Sequence, residues 1–130
     1  MPITSRDTAS ERIDYGPALD LTTHIDDLTI TFTTIREGAD LGPVLAQALP
    51  EGHCTCPHWG YVFAGEITIT YADGHQDVVK PGDAFYMTPG HAPSAIAGTE
   101  FVMFSPRDQM AVTEAAIAAH LRKMAADAQG

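Results

Sequence analysis

A chain of 130 residues, 45% hydrophobic and 18% charged, has the composition of a globular protein and the length to bury roughly two-thirds of its unfolded surface without disulfides. It is expected to form one domain over residues 1–130. Its formal charge of −10 argues against nucleic acid or an anionic membrane as partner, because both demand a basic face.

The opening MPITSRDTASERIDYG has no apolar run of the kind found in signal peptides, and no window reaches the length of a membrane span. A cytoplasmic location is expected, where the two cysteines, Cys54 and Cys56, stay reduced. Residues 1–18 are polar, with a turn at Tyr15-Gly16-Pro17, and should form a loose arm or an edge strand laid against a neighbour. Leu28 to Ile35 alternates and is β-branched. Leu28, Ile30 and Phe32 share one face and Thr29, Thr31 and Thr33 the other, as in a half-buried antiparallel strand. Val44 to Ala48 reads as a short strand, with a turn of helix as the alternative, ended by Pro50-Glu51-Gly52. Tyr61 to Phe63 and Glu66 to Tyr71 are strands joined through Gly65. Asp73-Gly74 marks a tight hairpin returning over Asp77 to Lys80. Ala84 to Met87 and Phe101 to Phe104 are the last strands. Many short strands punctuated by Gly, Pro and Asp imply a sandwich or barrel. Then the period changes: Met110, Thr113, Ile117, Leu121 and Met124 recur at helical steps, predicting an amphipathic helix over 108–126. Asp108 and Glu114 early, with Arg122 and Lys123 late, suit its dipole.

The segment His53-Cys54-Thr55-Cys56-Pro57-His58 concentrates four soft or borderline metal ligands in six residues. It precedes Trp59-Gly60-Tyr61-Val62-Phe63-Ala64-Gly65-Glu66, and a second segment comes later, Pro81-Gly82-Asp83-Ala84-Phe85-Tyr86-Met87-Thr88-Pro89-Gly90. Together, from about residue 52 to 104, these resemble the two motifs of the cupin superfamily. The resemblance implies an all-β jelly-roll barrel, here with a C-terminal α-helix, a metal in the barrel mouth and often a homodimer. The ligand positions differ from the family pattern. The family glutamate falls on His58. Its two histidines fall on Gly52 and Cys54 with the shorter spacing, or on Glu51 and His53 with the longer. Its motif-two histidine falls on Pro93, two residues after His91.

Side chains at i, i+2 and i+4 of a strand share a face, so Cys54, Cys56 and His58 could all point inward. On a straight strand, however, Cys54 and His58 would stand about 13 Å apart, so the chain must bend between them if both bind one ion, and Pro57 gives it reason to. His91 could close the site from across the mouth. Two thiolates and two imidazoles favour a divalent transition metal, zinc first and nickel, iron or copper after it. The expected ligands are Cys54, Cys56, His58 and His91, with His53 in reserve or moving a proton and Tyr86 as a second proton donor. The competing reading makes the cysteines small buried hydrophobes and His58 a hydrogen-bonded core residue. If one ligand stays off, an open position remains for substrate. That predicts a zinc-type enzyme, an isomerase, cyclase or lyase acting on a small-molecule metabolite. A closed shell predicts a non-catalytic metal or ligand sensor. With His58 inward, Trp59, Tyr61 and Phe63 face out, either under the arm or helix or in a homodimer interface.

Overall fold

Alternating, β-branched runs become strands along most of the chain. Among residues 2–49 and 51–129, which the computed structural model describes, there are ten strands and two helices. In chain order they are β1 (Glu11–Asp14), β2 (Ala18–Ile25), β3 (Leu28–Ile35), β4 (Ala39–Asp40), α1 (Gly42–Ala48), β5 (His58–Ala64), β6 (Ile67–Tyr71), β7 (Gln76–Val79), β8 (Ala84–Met87), β9 (His91–Ala95), β10 (Glu100–Pro106) and α2 (Arg107–Gln129). Two antiparallel sheets form, ordered β1-β2-β3-β10-β5-β8 and β4-β9-β6-β7. Between them lies an apolar core of Ile35, Val62, Ile67, Ile69, Val79, Phe85, Met87 and Phe101. A smaller cluster of Leu45, Cys54 and Cys56 sits under the two helices, covered by Leu49, Met110 and Ile117.

Several expectations change on contact with this architecture. Val44 to Ala48 is helical, because Pro43 stands in the first turn, where its fixed φ and missing N–H are tolerated, and Leu45 is the residue the helix buries. Of the turn read after it, Pro50 lies outside the described residues. The N-terminal segment does pair as an edge strand, but on its own chain: β1 aligns with β2 from Glu11 opposite Thr22 to Asp14 opposite Leu19. Strands β2 and β9 carry no clear sequence signal. β2 mixes polar and apolar residues, and Pro93 argues against a strand, although its carbonyl still accepts from Leu41 N at 3.0 Å. Helix α2 runs past 126 to Gln129, so Arg122 and Lys123 fall short of its last turn.

The two faces of β3 differ in what they line. Thr29, Thr31 and Thr33 are buried and stand opposite Ser105, Met103 and Phe101 of β10. Phe101 belongs to the core, so the threonine face looks inward. Ile30 and Phe32 face out, beneath the N-terminal residues. There Thr4 bonds Thr23 at 2.9 Å, and Arg6 pairs with Glu100 at 3.2 Å while lying 5.3 Å above the Phe63 ring. Gly65 closes β5 at φ +79°, and a side chain there would run into Thr99. That combination of left-handed backbone and crowding suits glycine alone. No helix among the described residues is long and apolar enough to cross a membrane.

Candidate metal centre

The chain ahead of β5 does not run straight. Cys54 makes an isolated antiparallel bridge to His91, with Cys54 N donating to His91 O at 2.9 Å and Gly90 N to Cys54 O at 2.8 Å. It then bends at Cys56 and becomes regular strand only at His58. The bridge sets Cys54 beside the start of β9. The bend brings His58 back to the same place, as one shared ion would require.

The result is a compact group. Cys54 Sγ lies 3.6 Å from His58 Nε2, and one ligand atom each from Cys54, His58 and His91 falls within 4.8 Å of the others. The two imidazoles meet edge to face with centroids 4.9 Å apart. Exposure is 4%, 5% and 1% for Cys54, His58 and His91. Such a group can hold a metal ion. Zinc–sulfur and zinc–nitrogen bonds of about 2.3 and 2.0–2.1 Å at a tetrahedral angle give a sulfur–nitrogen edge of about 3.5 Å. The Cys54–His58 separation already matches it, and the widest gap needs to close by about an ångström.

Each ligand has its own support. His91 Nδ1 donates to Thr88 O at 2.7 Å, and His58 Nδ1 meets Ser105 Oγ at 2.7 Å. Thr113 of α2 lies beside the Cys54 thiol. Burial raises the pKa of Cys54, against the pull of the Cys56 backbone and Thr113. Burial, then the neighbouring Cys54, push Cys56 up to about 12. Burial, then His91, bring His58 down to about 3. His91 is lowered by burial and by His53, with the Thr88 carbonyl opposing. Without an ion, therefore, the thiols are protonated and both rings are neutral at pH 7. Neutral imidazole is the form that ligates, whereas the thiol must lose its proton to an arriving cation.

The other expected residues are not part of this group. Cys56 is buried to 1%, packs with Leu45 and Cys54 beneath the helices and turns its Sγ to Pro57 O at 3.6 Å. The bend breaks the alternation that would have aligned it with Cys54. His53 sits at the rim over Gly90, its Nε2 3.7 Å from Glu51 Oε2. Tyr86 does not face the interior. The register pairs Trp59 with Tyr86 and His58 with Met87, so Tyr86 points outward, stacked on Trp59 at 4.8 Å. Sequence reasoning misses Ser105, Thr88 and Thr113. The one available signal for a polar interior is the period-two threonine run of β3.

No known family model and no curated protein matches the sequence. Solved structures do. A protein of unknown function from Rhizobium leguminosarum bv. viciae 3841 superposes with a TM-score of 0.60 at 17% identity, over 82% of this chain and 96% of its own. The polyketide cyclase RemF from Streptomyces resistomycificus gives 0.56 at 14% identity, over 82% and 80%. An RmlC-like cupin from Shewanella frigidimarina NCIMB 400 gives 0.51 at 20% identity, over 74% and 83%. The fold is that of a cupin. Within this fold, Cys54 and His58 stand where the shorter motif spacing puts a histidine and the glutamate, and His91 completes the group in place of residue 93. Helix α2 lies across the group, with Met110 and Ile117 on the cysteine cluster and Thr113 on Cys54.

Proposed function

We propose that this cupin is a zinc-type metalloenzyme acting on a small polar metabolite, with isomerase, cyclase or lyase chemistry. The observation that carries the reading is the count of ligands: Cys54, His58 and His91 converge, and Cys56 does not join them. Three protein ligands leave a position open, the pattern of catalytic rather than structural zinc. Zinc held this way supplies Lewis acidity. Nickel, iron or copper suit the donors less well than zinc, and a thiolate beside activated oxygen is prone to oxidation. Cys54, His58 and His91 would bind the ion. Thr22, Thr29, Thr31 and Thr33, all buried on the inner faces of β2 and β3, make the interior polar, with their hydroxyls bonded to one another or to His24 and Asp20. His53, at the rim, is the group suited to move a proton. The likeness to a polyketide cyclase agrees with the cyclase branch.

A second reading, a non-catalytic metal or ligand sensor, is favoured by one fact: all three ligands are at most 5% exposed. Elemental analysis of protein purified without an affinity tag tests the common premise. About one zinc per chain is expected, lost in Cys54→Ser, His58→Ala and His91→Ala; unchanged content in those variants would remove the site. Cobalt(II)-substituted protein then separates the readings. A visible spectrum that shifts with azide means an open position, and one that does not move favours the sensor.

A further inference from the structure

We propose that Ser105 is the positioning residue of this centre, the group that holds His58 in its metal-binding tautomer; the inference rests on the metal reading above. The two histidines are supported by chemically different partners. His91 Nδ1 lies 2.7 Å from a carbonyl, Thr88 O. A carbonyl only accepts, so Nδ1 carries the hydrogen and Nε2 keeps its lone pair. His91 is thus preset. His58 Nδ1 lies 2.7 Å from a hydroxyl, Ser105 Oγ, and a hydroxyl both donates and accepts.

His58 therefore has two arrangements. In one, Nδ1–H donates to Ser105 and Nε2 offers its lone pair 3.6 Å from Cys54 Sγ. In the other, Ser105 donates to Nδ1 and an Nε2–H points at that sulfur. Only the first can take an ion on Nε2. Metal binding needs Ser105 as acceptor, and among the described residues Ser105 is the partner that Nδ1 has. Ser105 is 1% exposed and lies on β10, the strand that pairs with both β3 and β5. Its removal leaves a buried ring nitrogen without a partner. Loss of such outer partners typically weakens metal affinity by about 10–100-fold.

The test compares zinc affinity, by competition with a chromophoric chelator, in wild type, Ser105→Ala and Ser105→Thr. Long-range ¹⁵N–¹H spectra of ¹⁵N-histidine protein supply a readout that a merely structural serine would not move. The expected result is a loss of about 10–100-fold in Ser105→Ala, restored to within about threefold by Ser105→Thr. In zinc-loaded wild type both His58 and His91 should be Nδ1–H. In metal-free protein His91 alone should be wholly so. The spectra of wild type stand as the test even if the alanine variant does not fold. A His58 that ligates through Nδ1 overturns the proposal, as does a folded Ser105→Ala with unchanged affinity. A wild type that binds no zinc overturns the metal reading and this inference with it.

Discussion

Cys54 and Cys56 are the same residue type two positions apart, yet only one sulfur reaches the histidines. Regular strand would put both on one face. Cys54 obeys the strand because its backbone is bridged to His91 on both sides. Cys56 sits at the bend and turns toward Leu45 and the helices. The two should therefore respond differently to the same substitution. Cys56→Ala deletes a fully buried sulfur and is expected to cost about 1–2 kcal/mol in urea unfolding, while leaving the metal-to-protein ratio unchanged. Cys54→Ala should lose the ion as well. An ion lost from both variants would mean that Cys56 is a ligand after all.

At the scale of elements, α2 is two things in one helix. Its first half lays Met110, Thr113 and Ile117 on the cysteine cluster and on Cys54. Its C-terminal third, over residues 122–128, is exposed. Truncation after Leu121 should thus change stability by less than about 0.5 kcal/mol, whereas Met110→Ala and Ile117→Ala, at half-buried sites, should each cost about 1–2 kcal/mol. Denaturation midpoints decide it, and equal costs at both ends of the helix would contradict this packing. The contrast also shows what can be read from the chain alone. Met110, Thr113 and Ile117 are legible because helical period survives without knowledge of the partner. So are the hairpin at Asp73-Gly74 and the barrel class, which rest on local turn and alternation chemistry. The inward direction of Thr29, Thr31 and Thr33 is not. Both faces of β3 are covered, and periodicity cannot say which cover is the core. Ser105 is illegible for a related reason: its partnership with His58 spans 47 positions and is set by strand register, to which no local pattern refers.

For the molecule as a whole, acid should act through the two buried rings. His58 is brought down to about 3 and His91 below its ordinary 6.5, so the unfolded chain binds protons that the native state refuses. The metal-free protein then keeps its full stability above pH 6.5 and loses about 1.4 kcal/mol per pH unit through His58 as pH falls from there toward 3, with His91 acting in the same direction. Asp20 and Glu114, whose carboxyls burial raises, work the other way: their contribution is lost as pH rises and returns in acid, flattening the curve there. Urea midpoints of chelator-treated protein at pH 7, 6 and 5 should fall steadily, and less so in His58→Gln; a flat profile would contradict the neutral buried pair. Association is the other property at this scale. Trp59, Tyr61, Tyr86 and Phe104 are 36–47% exposed on the outer face of the six-stranded sheet, while Arg6 already lies over Phe63. The N-terminal arm covers only part of the strip, which leaves an uncharged aromatic surface on a chain of formal charge −10. A second copy, brought in by a two-fold axis, could cover this strip against its own equivalent. Self-repulsion of two acidic chains opposes the contact, and salt screens that repulsion. Light scattering at micromolar concentration should thus give a dimer mass that tightens with added salt, and Trp59→Glu should give a folded monomer with its zinc content intact. A monomeric wild type at every salt concentration would leave the strip without this partner.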